Sequence, residues 1–487
     1  MASPKYFGTD GIRGRAGIHP MTEEFAFKLG WAAGKVLGQD KHSPKILIGR
    51  DTRFSGPRLQ QALSSGLETS GVKVINLGVF PTPGVAFVTH ASDAVAGVII
   101  SASHNPAAEN GIKFVSHDGM KLGESTELDI ESLLESAPLQ AQAAFSEKEP
   151  DRKLRSSYIR DLLADPDSLM LKGFKIALDC ANGANFEVAP HVLGTLGAEL
   201  LVLNDHPDGE NINAHAGSEF VRSRPGDFAR IIEENQMDMG IVFDGDADRV
   251  ILFDERGCLV DGDQILAILA DYFHGEGKLM GNALVTTNMA NGALGKYAEA
   301  RGFLFMETPV GDKYVTEKLM ALFAELQAES KWGIGGEQSG HVIVLDEMHR
   351  TGDGLRTALW VLKALQQRKG QKLSELTGKF HKYPQLIASA AVASKPNLDD
   401  IPAVVGMLRQ IKEELPGLVR MNARYSGTEP KFRLMLETDT SHTPQEIAAI
   451  AWKVCDLIQK ETGTPPGAKV EILNVSEGGL MQRPILR

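Results

Sequence analysis

Strand-like and helix-like segments alternate along most of the chain, and the alternation starts again at two later points. The first run begins with KILIGRD at 45–51, the second with FKIALDCANGAN at 174–185 and the third with ALVTTNMANGALGKYAEARG at 283–302. Apolar strands that alternate with amphipathic helices are typical of α/β layers with largely parallel strands. The three runs therefore predict three similar α/β domains.

The pattern changes near Gln385. From there the chain reads as strand, helix, two strands and helix, which predicts a smaller, two-layer α+β domain. Polar, helix-breaking stretches near 139–153, 254–263 and 366–372 mark the joints between domains. We therefore expect domains at residues 1–155, 156–257, 258–374 and 375–487.

The length and the net charge of the chain exclude several classes of protein. A chain of 487 residues is too long for a single hydrophobic core. The formal charge of −12 does not suit the broad cationic surface of a nucleic-acid binder. No stretch approaches the ~18 apolar residues of a membrane span, and three scattered cysteines without a CxxC pair indicate reduced thiols. We expect a cytoplasmic protein without nucleic-acid or membrane partners.

The first loop of chemical interest is SASHNP at 101–106, directly after the apolar segment AVAGVII. If that segment is a buried strand, Ser101 and Ser103 lie at its carboxyl end, where open α/β sheets place their ligands. Both serines are candidate nucleophiles, and the residues alone do not choose between them. The alternative is a turn that these polar side chains merely cap.

The second loop, FDGDADRV at 243–250, places three carboxylates at alternate positions. Asp244, Asp246 and Asp248 would repel one another unless a cation lay between them. Oxygen ligands without His or Cys favour Mg²⁺ or Ca²⁺. A calcium-binding EF-hand needs glycine where Arg249 stands, which leaves a magnesium site or an exposed acidic turn.

The third loop is GGEQSGH at 335–341. Glu337, Gln338 and Ser339 offer hydrogen-bond donors and acceptors that suit sugar hydroxyls. His341 is a residue type that exchanges protons near neutral pH. Taken alone, the segment is also compatible with an ordinary glycine-rich turn.

The fourth loop is RYSGTEPKFR at 424–433. Arg424 and Arg433 flank a short polar stretch whose candidate ligands are Ser426, Gly427 and Thr428. Guanidinium groups, hydroxyls and free amides around one small space favour the binding of a phosphate dianion. In an acidic chain, such a local basic cluster is informative.

The four loops fall one in each predicted domain. Together they would supply a hydroxyl nucleophile, a metal cage, a sugar-binding loop and a phosphate clamp. This combination favours an enzyme that moves a phosphoryl group on a sugar phosphate. A non-catalytic sugar-phosphate sensor is the alternative, but a sensor has no need of a nucleophile.

Taken together with further motifs along the chain, these four loops resemble the α-D-phosphohexomutase superfamily over nearly the whole length of the sequence. The matching segments, in chain order, are YFGTDGIRG (6–14), IGRDTRFSG (48–56), ISASHNP (100–106), NGIKF (110–114), DCANGA (179–184), FDGDADR (243–249), VDGDQI (260–265), VGDKYV (310–315), GGEQSGH (335–341), TGDG (351–354) and RYSGTEPKFR (424–433). The resemblance implies three similar α/β domains with mixed sheets and a smaller α+β domain around a central cleft.

The resemblance also implies the roles of individual residues. Ser103 corresponds to the serine that carries the phosphoryl group, and it would complete one Mg²⁺ site with Asp244, Asp246 and Asp248. The other residues implied in catalysis are His104, Lys113, Arg13, Arg249 and His341. Those implied in substrate binding are Lys313, Glu337, Gln338, Ser339, Arg424, Ser426, Gly427, Thr428 and Arg433. Lys113 and His341 correspond to general acid-base positions, with the order of their roles left open.

Within the superfamily, the sequence looks most like the branch that acts on glucosamine phosphates. That branch interconverts glucosamine-6-phosphate and glucosamine-1-phosphate, with glucosamine 1,6-bisphosphate as intermediate and activator, and supplies UDP-N-acetylglucosamine synthesis. Lys313 stands where this branch often has arginine, so a phosphomannomutase/phosphoglucomutase of broader specificity is the alternative. A homodimer is one of the assembly states left open, and the tail from Thr464 matches no segment of the pattern.

Overall fold

The structure is a computed structural model that describes residues 4–138, 149–326, 331–368, 370–426 and 430–483. Within these residues the strands form four separate sheets that follow one another along the chain. Part of the first predicted joint, 139–148, lies outside the described residues.

The first sheet has the strand order β1-β5-β4-β2-β3. Its strands are β1 (Ile12–Arg15), β2 (Lys45–Arg50), β3 (Lys73–Val79), β4 (Ala96–Ile100) and β5 (Glu109–Ser116). The helices of this part of the chain are α1 (Glu23–Leu37), α2 (Gly56–Thr69), α3 (Thr82–His90) and α4 (Glu124–Leu133). β2 runs parallel to β3 and β4, whereas β5 is antiparallel to β4.

The second sheet repeats this arrangement with the order β10-β9-β8-β6-β7. Its strands are β6 (Lys175–Asp179), β7 (Glu199–Leu203), β8 (Met239–Phe243), β9 (Val250–Phe253) and β10 (Leu259–Val260). The accompanying helices are α5 (Arg152–Ala164), α6 (Val188–Thr195), α7 (Ser218–Ser223) and α8 (Pro225–Glu234). β6 is parallel to β7 and β8, and β9 is antiparallel to β8.

The third sheet has the order β12-β11-β13-β14. Its strands are β11 (Leu279–Thr287), β12 (Leu304–Thr308), β13 (Trp332–Gly336) and β14 (Val342–Leu345). The helices are α9 (Gly262–Gly275), α10 (Gly292–Ala300), α11 (Asp312–Leu326), α12 (Gly354–Gln367) and α13 (Leu373–Thr377). β4, β8 and β13 occupy equivalent places, each between a parallel strand and an antiparallel one.

The fourth sheet is antiparallel, with the order β16-β17-β15-β18. Its strands are β15 (Gln385–Ala391), β16 (Leu418–Tyr425), β17 (Lys431–Thr438) and β18 (Val470–Asn474), and its helices are α14 (Pro402–Glu414) and α15 (Pro444–Glu461). The tail from Thr464 thus supplies β18. These sheets confirm the predicted fold class of three α/β domains with mixed sheets and an α+β domain.

Apolar packing fixes the first three domains relative to one another. One hydrophobic cluster extends through them, from Leu47 on β2 to Phe380, and a separate cluster fills the fourth domain. β4 and β8 are buried along their whole length, as expected for strands covered on both faces. None of the described helices is both long enough and apolar enough to cross a membrane.

Candidate active site

The two serines after β4 have different partners. Ser101 Oγ donates to Asp51 Oδ2 at 2.6 Å, and it also accepts a hydrogen bond from the backbone nitrogen of Ser103 at 2.9 Å. Ser103 Oγ instead donates to Asp244 Oδ2 of the second domain at 2.6 Å. Ser101 therefore supports the loop, and Ser103 presents its hydroxyl to the acidic loop after β8.

Ser103 has a left-handed backbone conformation, with φ of 52°. The side chain of Arg53 binds the backbone of the loop that contains it. The guanidinium group of this fully buried arginine donates to the backbone oxygens of Ser103 at 2.9 Å, Asn105 at 2.8 Å and Glu109 at 2.9 Å. Its Nε donates to Asp51 Oδ2 at 2.8 Å. The segment RDTRFSG signalled this position in the sequence, but nothing in the pattern showed that Arg53 holds the serine loop.

His104 lies beside the candidate nucleophile. Its Nδ1 is 3.3 Å from Ser103 Oγ. Burial and the nearby charge of Arg249 lower the pKa of His104 to about 4. The imidazole is therefore neutral at neutral pH and adds no charge to the site.

The three aspartates predicted to bind metal form a buried cluster. Asp244, Asp246 and Asp248 are 0%, 1% and 6% exposed, and one oxygen from each lies within 4.8 Å of the others. Burial, together with Asp248 and Asp246, raises the pKa of Asp244 well above its usual range. Asp246 Oδ1 and Asp248 Oδ1 are buried without a hydrogen-bond partner. Unpartnered carboxylate oxygens of this kind fit a divalent cation with oxygen ligands.

A second acidic cluster in the described part of the chain is already neutralised. Asp165, Asp346 and His349 also lie close enough together to suggest a metal site. Arg356 Nη2, however, lies 2.6 Å from Asp165 Oδ2 and 2.6 Å from Asp346 Oδ2. The guanidinium group thus occupies the place of a cation, and this cluster is a structural ion-pair network.

Lys113 on β5, in the first domain, lies beside the cluster of Asp244, Asp246 and Asp248. Its Nζ lies 2.9 Å from Asp246 Oδ2 and 2.9 Å from Asp10 Oδ2. Burial opposes the charge, but Asp10, Asp246 and Asp248 together raise the pKa of Lys113 well above its usual range. Lys113 is therefore a cation that helps to neutralise the cluster.

His341 approaches the same cluster from the third domain. Its Nδ1 is 3.7 Å from Asp248 Oδ2, and its Nε2 is 3.5 Å from Asp312 Oδ2. Burial lowers the pKa of this group, but the two carboxylates outweigh burial and raise it to about 9. Lys121 Nζ lies 2.8 Å from Asp312 Oδ1 and so connects this pair to the first domain.

A cavity of about 1020 Å³ opens above these groups. Its walls come from all four domains. The lining residues that carry charge or hydrogen-bonding groups include Asp10, Arg13, Arg15, His104, Glu109, Lys121, Asp248, Arg249, Asp312, Glu337, His341 and Arg433. This cavity is the central cleft that the sequence resemblance implied.

Only part of the predicted sugar-binding loop faces this cavity. Glu337 lines it, and its Oε1 accepts a hydrogen bond from the backbone nitrogen of Gly311 at 3.1 Å. Gln338 is 6% exposed and donates to Asp263 Oδ2 at 3.1 Å and to Gln385 Oε1 at 2.8 Å. Both amide protons of Gln338 are thus directed toward the junction with the fourth domain.

Lys313 lies next to the main cavity. It lines a smaller cavity of about 290 Å³ together with Glu124, Glu127 and Tyr314. Asp10 and Gly311 line both cavities. Lys313 therefore faces a side cavity that Lys113 also lines, and it does not line the main cleft.

The predicted phosphate loop joins β16 to β17. Arg433 lines the main cavity, and Arg424 is its partner on the neighbouring strand, exposed to solvent. Ser426 is buried, and its backbone nitrogen donates to the Lys431 oxygen at 2.8 Å. Gly427 and Thr428 lie outside the described residues.

Comparison with known proteins identifies the family. The sequence matches the family described as Phosphoglucomutase/phosphomannomutase in four parts: alpha/beta/alpha domain I at 4–141, domain II at 156–257, domain III at 261–383 and the C-terminal domain at 387–453. The chain belongs to this family. It is therefore a phosphohexomutase, an isomerase, as the sequence resemblance predicted.

Relatives of this phosphohexomutase share its full length. The phosphoglucosamine mutase of Syntrophotalea carbinolica is 42% identical over 466 residues, which cover 94% of this chain and 98% of the relative. That of Halalkalibacterium halodurans is 42% identical over 462 residues, covering 94% and 99%. A solved structure of Aspergillus fumigatus N-acetylphosphoglucosamine mutase in complex with GlcNAc-6P and magnesium matches with a TM-score of 0.63 at 16% identity, covering 94% of this chain and 96% of that one. The last comparison shows a shared fold.

Proposed function

We propose that the chain is a phosphoglucosamine mutase that interconverts glucosamine-6-phosphate and glucosamine-1-phosphate. The observation that carries the reaction is the hydroxyl of Ser103, which meets Asp244 at 2.6 Å beside a cleft lined by all four domains. The names of the full-length relatives support glucosamine as the sugar. They do not favour the broader hexose phosphate specificity considered from the sequence.

In the proposed reaction, phosphorylated Ser103 gives its phosphoryl group to the free hydroxyl of the bound sugar phosphate. The bond between phosphorus and Ser103 Oγ breaks, a bond to the sugar oxygen forms, and the proton of the sugar hydroxyl passes in net terms to Ser103 Oγ. The resulting glucosamine 1,6-bisphosphate turns over in the cleft and returns its other phosphoryl group to Ser103. The net change is isomerisation.

A magnesium ion bound by Asp244, Asp246, Asp248 and phosphorylated Ser103 would neutralise charge on the transferred phosphoryl group. Arg13 and Arg249 line the cleft near Ser103 and would hold the equatorial oxygens of that group. Arg433, with the 424–433 loop, would bind the phosphate that does not react. Lys113 and His341 lie beside Asp246 and Asp248 and would hold and move protons during transfer, with the order of their acid and base roles left open.

Glu337 is our candidate for recognition of the amino group. It lines the cleft, and its carboxylate is an acceptor for the ammonium at C2 of glucosamine. Ser339 Oγ lies 3.5 Å from Glu337 Oε2 and would orient it. The cytoplasmic location, the homodimer and the domain boundaries given above remain predictions of the same proposal.

The test compares kcat/KM for glucosamine-6-phosphate, glucose-6-phosphate and mannose-6-phosphate with Mg²⁺ and a trace of the bisphosphate. We expect a preference for the amino sugar of at least about 100-fold, because a sugar without the ammonium group leaves the Glu337 carboxylate without its partner. Glu337→Gln should reduce that preference more than it reduces turnover of glucose-6-phosphate. Equal turnover of the three sugars would contradict the proposed specificity and leave the phosphohexomutase assignment in place.

A further inference from the structure

Glu219, to which neither the sequence pattern nor the proposed mechanism gives a role, lies directly behind the active-site arginine. It is in the first turn of α7 and lines a second cavity of about 480 Å³ between the second and fourth domains. Its Oε1 is 3.0 Å from Arg222 Nη1 and 3.5 Å from Arg249 Nη1. Arg249 itself lines the main cleft. Glu219 thus contacts the guanidinium group of Arg249 and lines a different cavity from the main cleft.

Arg249 stands between two sets of negative charges. One is Glu219. The other is the aspartate cluster of Asp244, Asp246 and Asp248, where Arg249 Nε lies 3.9 Å from Asp248 Oδ1. The Nε group is buried and has no hydrogen-bond partner. The side chain of Arg249 is 19% exposed, and at these distances the carboxylates on both sides attract its guanidinium group. Without Glu219, the guanidinium group would shift toward the aspartates.

Such a shift would harm the site in two ways. The arginine would occupy space and charge that the cluster of Asp244, Asp246 and Asp248 offers to a divalent cation. It would also withdraw from the cleft, where its donors face the incoming phosphoryl group. Because displacements of about 1 Å are costly when a group must be held for reaction, the position of Arg249 matters for turnover.

Glu219 keeps the charge needed for this task. Burial opposes ionisation, but the charges of Arg222 and Arg249 outweigh it and the pKa of Glu219 falls to about 2. The carboxylate is therefore present over the whole neutral range.

The helix that carries Glu219 is held by the C-terminal tail. The backbone nitrogens of Gly479 and Leu480 donate to the oxygens of Arg222 at 2.8 Å and Ser223 at 3.1 Å. Gly479 has φ of 98°, a conformation that glycine adopts readily. On the other side, the backbone nitrogen of Gly217 donates to Asp179 Oδ2 at 3.3 Å. The short helix α7 is thereby fixed at both ends.

We infer that Glu219 is a positioning residue, which holds the guanidinium group of Arg249 toward the cleft and away from the metal-binding carboxylates. This inference rests on the proposed function for the role of Arg249 in phosphoryl transfer. The contact between Glu219 and Arg249 does not depend on which sugar is bound.

Glu219→Gln tests the inference because it removes the charge and keeps the shape. We expect kcat to fall about tenfold with KM within about twofold of wild type, because the displaced group acts on the transferred phosphoryl group. Without metal, Tm should stay within about 2 °C of wild type, since a partly exposed pair contributes little to stability. Glu187→Gln is the matched control: Glu187 pairs with Arg155 at 3.0 Å in the same domain, and its side chain is 59% exposed.

A double-mutant cycle separates positioning from a general loss of structure. In an Arg249→Gln background, Glu219→Gln should change kcat by less than about twofold, because the group that it positions is gone. Equal kcat for Glu219→Gln and wild type would overturn the inference. So would a tenfold loss that persists in the Arg249→Gln background.

A metal titration without sugar gives a readout that does not depend on the substrate. The Mg²⁺ dissociation constant obtained from the rise of Tm with Mg²⁺ concentration should be about threefold higher for Glu219→Gln than for wild type, because the arginine then competes for the aspartates. Identical dissociation constants would overturn the inference. A wild-type enzyme that fails on glucosamine-6-phosphate while the dissociation constants differ as expected would instead refute the proposed function and leave the role of Glu219 intact.

Discussion

At the scale of single residues, the serine loop shows how two identical side chains acquire different tasks. Ser101 and Ser103 are two positions apart, and the sequence offers no physical reason to prefer either. Their hydrogen bonds differ because Asp51 and Asp244 come from distant parts of the chain. Sequence resemblance predicts Ser103 as the phosphorylated residue, and this stays a prediction; the structure shows its contact with Asp244.

Replacing each serine by alanine should separate these tasks. Ser103→Ala should lower kcat by at least about a thousandfold, since the group that carries the phosphoryl is lost. Ser101→Ala should cost about 2–3 kcal/mol of stability, since the two buried hydrogen bonds to Asp51 and to the Ser103 backbone are lost, with kcat reduced far less than in Ser103→Ala. Initial rates and urea unfolding of both variants measure these effects. The reverse ranking of activities would show that the wrong serine was assigned.

At the scale of elements, the three α/β domains carry their predicted functional loops after the same strand position. The serine, metal and sugar loops follow β4, β8 and β13, which are equivalent strands of the three sheets. The alternation of strands and helices in the sequence predicted these strands and the loops after them. It could not predict Arg53, because the bonds that make it important join residues about 50 positions apart.

Arg53 should be indispensable for this arrangement. Arg53→Met leaves Asp51 buried without its cation, and the backbone oxygens of the serine loop lose their common donor. Removing one partner of a buried ion pair typically costs about 3–5 kcal/mol, so a loss of that size in the free energy of unfolding is expected. Arg58→Met is the control, because its pair with Glu23 is 3.9 Å long and Arg58 is 80% exposed. Similar small losses in both variants would contradict this account of Arg53.

At the scale of the whole molecule, the cleft depends on how the fourth domain meets the third. The sequence predicted Gln338 as a sugar-binding residue, whereas the structure directs its amide toward Gln385 and Asp263. Gln385 in turn donates to Glu437 Oε2 at 2.9 Å. These contacts span 47 to 75 positions of the chain, so no local pattern could reveal them. A buried chain of hydrogen bonds therefore links the sugar-binding loop to the sheet that carries Arg433.

This junction should make stability depend on pH. Burial and the charge of Asp261 raise the pKa of Asp263 to about 8, although Lys382 and a backbone hydrogen bond oppose the rise. Burial also raises the pKa of Glu437 to about 7, although the charge of Arg420 lowers it. A carboxyl group whose pKa is higher in the folded state contributes stability below its unfolded pKa near 4, and that contribution is lost as pH rises toward the folded value.

Asp263→Asn should therefore flatten the decline in unfolding free energy between pH 5 and 8, where one such group contributes at most about 1 kcal/mol per pH unit. The asparagine keeps an oxygen for the bonds from Asn291 and Gln338 and removes the charge. Relative to wild type, the variant should gain stability steadily as pH rises, in urea unfolding at several pH values. Asp40→Asn, at an exposed carboxyl, should follow the wild-type curve. Parallel curves for wild type and Asp263→Asn would show that the pKa of this carboxyl group is not raised in the folded protein, and the junction would then owe its stability to hydrogen bonds that are indifferent to pH.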